Sequence, residues 1–355
     1  MRVALVASPF IPVPPQRYGG TELFVANLAE GLSQRGISTV VYANGASTVN
    51  AELRWRYKHS DWPLQNEGAG LTKELDHLSW AMDDAADSCD IVHVNNGLGV
   101  TYSRFTTSCT VCTLHHPFET SLTRLYERYS DVSYVAISRY QASLHPTIDL
   151  QVIHHGLDLS DYRLDTRKQG YLSFLGRIAP IKGTHIAVEI AQRTGIPLKI
   201  AGEVQPIFRD YFDTMIKPHL DGRLIEYVGE ADLAAKNELL GGSIGLLFPI
   251  DWDEPFGLVL VEAMACGTPV FAFRRGAVPE VVSPGVSGAI CESVQDMAYS
   301  VQSMTFNPTE VRAWVESNFS LDSMVNRYIS LYRKCLRHGV GPDSRIHVSR
   351  EEAAA

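Results

Sequence analysis

Short, nearly continuous apolar runs alternate with longer amphipathic segments along most of the chain. "VALVAS" is followed by "TELFVANLAEGLSQRG" and "STVVYA", and further apolar runs come at "DIVHVN", "TVCTLHH", "SYVAIS" and "QVIHH". A second series opens at "YLSFLGR" and continues through "THIAVEIAQRTG", "PLKIAG", "IEYVG", "ADLAAKNELLGG", "IGLLFP" and "PVFAF". Strands that are apolar on both faces and alternate with helices belong to parallel sheets covered on both sides. Two such series predict an α/β chain of two doubly wound, Rossmann-like domains, residues 1–160 and 170–320, with the polar stretch "DLSDYRLDTRKQG" (158–170) linking them. Segments from about Pro308 to His338 read as helical, with a last helix over 321–338. The polar stretch 339–355 reads as a disordered tail. No internal repeat indicates a solenoid.

In open parallel sheets, ligands bind beyond the carboxyl ends of the strands. The residues with chemistry fall at those ends. Gly19 and Gly20 lie in the loop after the first strand, and His115 follows "TVCTL". Arg177 follows "YLSFLG", Gly202 and Glu203 follow "PLKIA", and Asp251 to Glu254 follow "IGLLFP". Two domains with decorated strand ends imply a cleft between them.

Charge narrows the classes of ligand. The chain of 355 residues has a formal net charge of −9, and its first 150 residues hold 11 basic against 15 acidic side chains. Nucleic-acid binding needs a basic face, which this balance does not supply. No basic amphipathic helix indicates an electrostatic membrane dock. "MRVALVASPFIPVPPQ" is apolar but short and broken by prolines, so it reads as a strand entering a loop rather than a leader or a span. Six cysteines without a disulfide-dense pattern fit a reduced, cytoplasmic protein.

The most informative stretch is "DEPFGLVLVEAMACGTPV" (253–270), with Glu254 and Glu262 separated by seven residues. Pro255 disfavours helical geometry at Glu254 and suits a first helical position, which places Glu254 at or just before a helix start and Glu262 about two turns inside. Eight residues of helix span ~12 Å. Glycosidase carboxyls stand about 5–9.5 Å apart, so the pair is poorly spaced for hydrolysis. The backbone N–H groups of Phe256, Gly257 and Leu258 would open the helix as an anion site. A carboxylate, an anion site and a second carboxylate match the sugar hydroxyls, diphosphate and ribose hydroxyls of a nucleotide sugar. A plainer account makes Glu254 a helix-terminus charge and Glu262 a partner of a lysine. That account is weak for Glu262, which sits in an almost wholly apolar run.

Other motifs are weaker alone. In "FLGRIAPIKG" (174–183), Arg177 and Lys182 can neutralise a diphosphate or can be surface charges. The pair Gly19–Gly20 in "QRYGGTE" can cradle phosphate or form a turn. Of His115 and His116, strand alternation lets only one face the cleft. "CTVC" (109–112) beside these histidines mimics a metal site, but Cys109 and Cys112 point to opposite faces of a strand and read as two buried cysteines. "DWD" (251–253) resembles a D-x-D metal clamp and is better read as a solvated loop. Neither a dinucleotide fingerprint nor a P-loop occurs where such a fold needs one.

Taken together, "FLGRIAPIKG", "DEPFGLVLVEAMACGTPV", "YGGTE", "TLHHP", "VAISRY" and "QVIHHGLDL" resemble the retaining glycosyltransferases of family four, over nearly the whole chain. The resemblance implies the GT-B fold, with two Rossmann-like domains facing across a cleft and the last helix crossing back onto the first domain. It implies a nucleoside-diphosphate sugar as donor, an acceptor hydroxyl, retained anomeric configuration and no metal or other cofactor. Residue by residue, it assigns Glu254 to the donor sugar and Glu262 to the ribose. Arg177 and Lys182 fall on the diphosphate, and the amides of Phe256, Gly257 and Leu258 on sugar and phosphate. His115 falls beside the transferred sugar, and Gly202 with Glu203 at the donor. Gly20 comes near the phosphate, and Tyr18 with Gly19 lies on the acceptor side, where loops such as 46–72 contribute. Two positions depart from the pattern: His155 replaces an expected asparagine, and "AGEVQ" lacks a second glycine. A nucleotide-sugar 2-epimerase of the same architecture and a non-catalytic sugar-nucleotide-binding subunit are the alternative functions. The partners expected are thus a nucleotide sugar and an acceptor, with no nucleic acid.

Overall fold

The structure is a computed structural model, which describes residues 1–17, 19–62, 64 and 66–337. Tyr18, His338 and the tail expected over 339–355 lie outside these residues. The first sheet is built from β1 (Arg2–Val6), β2 (Ser38–Tyr42), β3 (Glu52–Arg54), β4 (Ile91–Val94), β5 (Cys109–Leu114), β6 (Ser133–Ala136) and β7 (Leu150–Val152). Its order is β3-β2-β1-β4-β5-β6-β7, with every pairing parallel. The second sheet contains β8 (Tyr171–Leu175), β9 (Leu198–Ala201), β10 (Ile225–Gly229), β11 (Ser243–Phe248), β12 (Val270–Phe273) and β13 (Gly288–Cys291). It runs β10-β9-β8-β11-β12-β13, again all parallel. The two doubly wound sheets are those the apolar pattern predicts. Short β3 and β13, and the helix Glu67–Ala86, are additions that the pattern did not reveal. β3 and the start of that helix fall inside the segment read as the loop 46–72.

Each sheet separates two apolar layers. Along β1, Val3 and Leu5 enter one core and Ala4 and Val6 the other. This alternation is why the central strands carry no solvent-exposed polar face. The same rule separates Cys109 and Cys112, which pack in opposite layers. Cys109 is only half-buried, a correction to the reading of two buried cysteines, because it begins β5 at the sheet margin.

The chain order winds outward from β1 to β3, returns to β4 and winds the other way. The second sheet does the same from β8 to β10 and from β11 to β13. Adjacent loops therefore part between β1 and β4 and between β8 and β11, the positions where open sheets form crevices.

The last described helix, Leu321–Arg337, follows the second domain in sequence and packs on the first sheet. Leu321, Met324, Val325, Tyr328, Ile329, Tyr332 and Cys335 join the core that contains Val3, Leu5 and Leu28. The spacing is an amphipathic stripe. The crossing is pinned by backbone: Leu157 N–H donates to the Phe319 carbonyl at 3.0 Å, and Leu321 N–H to the Leu157 carbonyl at 2.9 Å. The stretch 158–170 leads into the second domain, but it is not a free linker. Tyr162 within it is buried in the core of the second domain. None of the described helices is long and apolar enough to cross a membrane.

The first helix, Gly20–Ser33, meets the last one at Gly31, where a Cβ would stand 2.4 Å from Val325 Cγ2. Gly31→Val should therefore lower stability by ~1–3 kcal/mol in urea denaturation, as overpacking does. Adding Val325→Ala should recover part of the loss, and an unchanged midpoint for Gly31→Val would show that the helices do not need this close approach.

Candidate functional site

A cleft of about 820 Å³ lies where the two sets of strand ends meet. Its walls include Gly19, Gly20, His115 and His155 from the first domain. The second contributes Arg177, Lys182, Gly202, Glu203, Glu254, Phe256, Gly257, Leu258 and Glu262. Every described site residue named from the sequence thus lines one cavity. The walls come close here: a Cβ added to Gly20 would lie 3.7 Å from Leu258 Cδ1.

The helix after β11 starts later than the proline suggests. It spans Leu258–Ala265, and its N-cap, Gly257, has φ 87°. That left-handed conformation, which glycine alone adopts readily, holds residues 253–257 as a loop. Pro255 is therefore not the first helical residue, and Leu258 alone of the three expected amide donors lies within the helix. Glu262 is its fifth residue, about one turn inside. No side chain caps the helix, which leaves its first N–H groups for a ligand. Gly20 is likewise the first residue of its helix rather than part of a loop, and that helix also lacks a side-chain cap.

Lys182 and Glu254, assigned to different parts of the ligand, touch each other. Lys182 Nζ donates to Glu254 Oε2 at 2.7 Å and lies 4.5 Å from the centre of the Trp252 ring. Their loops follow the adjacent strands β8 and β11, and Asp251 N–H donates to the Ile181 carbonyl at 2.8 Å to join them. Glu262 is 3 % exposed and accepts from Tyr162 Oη and Lys236 Nζ, each at 2.9 Å. The lysine partner that looked improbable from the apolar sequence is present, because the helix Leu233–Gly242 delivers it from beside the run. Burial and the adjacent Glu262 carboxylate push the Tyr162 hydroxyl far up, so it stays a proton donor.

Arg177 differs from these two lysines. Among the described residues no carboxylate forms a salt bridge with it. One guanidinium nitrogen donates to Gln205 Oε1 at 3.4 Å, the group lies 5.7 Å from the Phe208 ring centre, and its Nε is buried without a partner among the described residues. Gly202 packs beneath it, where a Cβ would stand 1.8 Å from the Gly176 carbonyl oxygen, so no side chain fits. Glu203 is half-buried, which raises its carboxyl pKa, and accepts from Gln205 Nε2 at 3.2 Å.

His115 faces the cleft and His116 does not. His116 Nε2 lies 2.6 Å from Tyr126 Oη in the first domain. His115 Nε2 lies 3.0 Å from Asn95 Oδ1, while the Asn95 amide nitrogen donates to the Val6 carbonyl at 3.1 Å. Burial, with neighbouring His155, His93 and His116, drives the His115 pKa well below its usual value. The neutral ring then carries its proton on Nε2, and Nδ1 is an acceptor. His155, the departure from the family pattern, stacks on His115 with ring centres 5.4 Å apart and planes 5° apart. Its pKa falls to about 3 through burial, and its Nδ1 has no partner among the described residues. Below them His93 is bonded to Tyr332 Oη and Thr113 Oγ1, both at 2.7 Å.

The D-x-D residues have other partners. Asp251 pairs with Arg275 at 3.3 Å, and Asp253 accepts from Gly276 N–H at 3.2 Å, both on the exposed surface. No cluster of candidate metal ligands occurs among the described residues.

Two family models match the chain, "Glycosyltransferase Family 4" over residues 18–161 and "Glycosyl transferases group 1" over residues 163–318. The chain belongs to glycosyltransferase family four. One relative of this glycosyltransferase is the D-inositol 3-phosphate glycosyltransferase of Mycolicibacterium smegmatis, 31% identical over 163 residues, or 40% of this chain and 36% of the relative. The chain thus spans little more than a third of that protein. The crystal structure of AviGT4, a glycosyltransferase involved in avilamycin A biosynthesis, superposes with a TM-score of 0.73 at 24% identity, over 95% of this chain and 98% of the other. HepE of Anabaena in complex with UDP and glucose gives a TM-score of 0.75 at 17% identity, over 94% and 100% of the two chains. These likenesses establish the two-domain GT-B fold.

Sequence reasoning missed several residues of this glycosyltransferase's site. Lys236, Tyr162 and Asn95 carry no motif, and only packing brings them to Glu262 and His115. Glu22, in "YGGTE", had a visible signal as a carboxylate inside an apolar helical face. It is buried beneath Gly19, whose added Cβ would meet its Oε2 at 2.9 Å. Burial raises its pKa from 4.5 to about 7, and burial raises that of Glu74, bonded to Ser8 Oγ at 3.0 Å, to about 7 as well. A folded-state pKa above the unfolded value stabilises fully below the lower pKa, and that stability is lost as pH rises through the higher. Glu22→Gln should therefore gain stability relative to the parent between pH 4.5 and 7, by roughly 1.4 kcal/mol per pH unit. Urea titrations across this range test it, and a pH-independent difference would mean that Glu22 is not held protonated.

Proposed function

We propose that the chain transfers a glycosyl group from a nucleoside-diphosphate sugar to an acceptor hydroxyl with retained anomeric configuration. The observation that carries this reading is the row of groups along one wall of the cleft. Arg177, the Lys182–Glu254 pair, the uncapped helix start at Leu258, and Glu262 with Lys236 one turn along that helix all line it. A diphosphate placed against Arg177, Lys182 and the helix amides is met by positive charge at each step. A phosphate arriving at Lys182 competes with Glu254 for its ammonium and frees carboxylate oxygens to accept sugar hydroxyls. Glu262, oriented by Tyr162 and Lys236, retains acceptor capacity for ribose hydroxyls.

Charge builds on the departing diphosphate as the glycosidic bond breaks, and the transition state is oxocarbenium-like. Arg177 and Lys182 stabilise the leaving group where it forms. The acceptor attacks from the same face, and its proton passes to a donor phosphate oxygen, so no enzymic nucleophile is required. Neutral His115, with Nδ1 accepting, orients a hydroxyl of the transferred sugar rather than delivering a proton. The cavity also has a first-domain wall beyond the donor groups, which favours transfer to a second substrate over epimerisation of the donor alone.

Lys182→Met should lower kcat by roughly 10²–10³-fold, the scale of a lost oxyanion donor, whereas Glu262→Gln should chiefly raise the donor KM. Steady-state kinetics separate the two, and a Lys182→Met enzyme with parental turnover would remove the cation from the chemistry. With cationic side chains and helix amides in place of a metal, activity should persist after dialysis against EDTA. Loss on chelation with recovery in Mn²⁺ would transfer that role to a metal.

A further inference from the structure

The cationic side chains of the cleft are unevenly shared between its two walls. Arg177, Lys182 and Lys236 all belong to the second domain. Among the described residues lining the cleft from the first domain and the 158–161 turn, Arg17 is the sole Lys or Arg. It is tied across the cleft to Glu230 at 3.3 Å. The same wall holds Glu30, which forms no salt bridge among the described residues. His115 and His155 add no positive charge, since burial keeps both neutral.

What this wall offers instead is amide, hydroxyl and apolar surface. Gln16, Thr48 and Asn50 line it beside Pro14, Pro15 and Val49. The two loops that supply them are fastened together: Thr48 N–H donates to the Val13 carbonyl and Val13 N–H to Ser47 Oγ, both at 2.9 Å. Asn44 fastens the base by donating to the Pro9 carbonyl at 3.0 Å. Such a lip is set before a ligand arrives, with polar groups flanking apolar patches. That combination suits a sugar ring, which has polar edges and apolar C–H faces.

We propose that the acceptor is a neutral, hydroxyl-rich molecule, a sugar or cyclic polyol bearing no phosphate or carboxylate, bound along the lip of Gln16, Thr48, Val49 and Asn50. The proposal rests on the transferase reading of the cleft and names its second substrate. Selectivity comes from exclusion as much as attraction: an anionic acceptor on this wall meets Glu30 and, among the described residues, no Lys or Arg outside the Arg17–Glu230 pair. The cations opposite serve the donor diphosphate and are occupied when the acceptor binds.

The test uses the whole chain and whichever nucleotide sugar, from a panel of UDP-, GDP- and dTDP-sugars, raises its melting temperature most. Initial rates are measured for matched acceptors, glucose against glucose 6-phosphate and myo-inositol against its monophosphates. The neutral member should have the higher kcat/KM by roughly tenfold or more, and Glu30→Lys should narrow that ratio. Equal or better transfer to the phosphorylated members overturns the proposal, as does donor hydrolysis without transfer to either neutral compound. Failure of every nucleotide sugar to stabilise the protein overturns instead the reading of the cleft as a donor site.

Discussion

The helix Leu321–Arg337 buries its apolar stripe on a sheet whose first strand lies about three hundred residues earlier, and that burial holds the end of the second domain's chain against the first domain. Its anchor is more than hydrophobic. His93 bonds Tyr332 on one side and Thr113 on the other, and Thr113 bonds Tyr328 at 2.9 Å. A buried imidazole satisfied at both nitrogens is specific in geometry and costly to break. Phe24 lies between this network and the His115–His155 stack, with ring centres 4.8 Å from His115 and 5.5 Å from Tyr328. The helix that crosses between the domains thereby supports the histidine stack of the cleft from behind Phe24.

The rest of the site follows topology. Right-handed crossovers in parallel sheets leave all functional loops at one edge. Two sheets of the same winding, turned edge to edge, bring the loops after β1, β5, β8, β9 and β11 into one cavity. The second domain supplies charge and the first supplies a fixed lip. Lys236 and Tyr162 allow a carboxylate, Glu262, to persist at 3 % exposure within an apolar helix. Without those partners its desolvation would oppose folding.

The fold was legible because the strands are continuous apolar runs whose spacing tolerates no other sheet type. The short edge strands β3 and β13 escaped because three or four residues at a margin carry little pattern. Candidate residues with motifs, such as Arg177, Glu254 and Glu262, were legible and lie in the cleft. Their partners were not, since Lys236, Tyr162 and Asn95 are brought in from other elements. The error at Pro255 is instructive in another way. Proline marked the neighbourhood of a helix start, but the left-handed glycine two residues later decided where the start falls. His155 reads as an anomaly in sequence, and only its parallel stack on His115 gives it a place.

The close approach of Gly20 and Leu258 has a consequence for motion. Each is the first residue of an uncapped helix, so two helix ends of like partial positive charge abut across the domain boundary. In an empty cleft their fields oppose approach; an anion lodged between them lowers the energy of both at once. Anion occupancy and domain approach are then linked equilibria, each shifting the other by the same free energy. A ligand lacking that charge can fill the cleft without drawing its walls together.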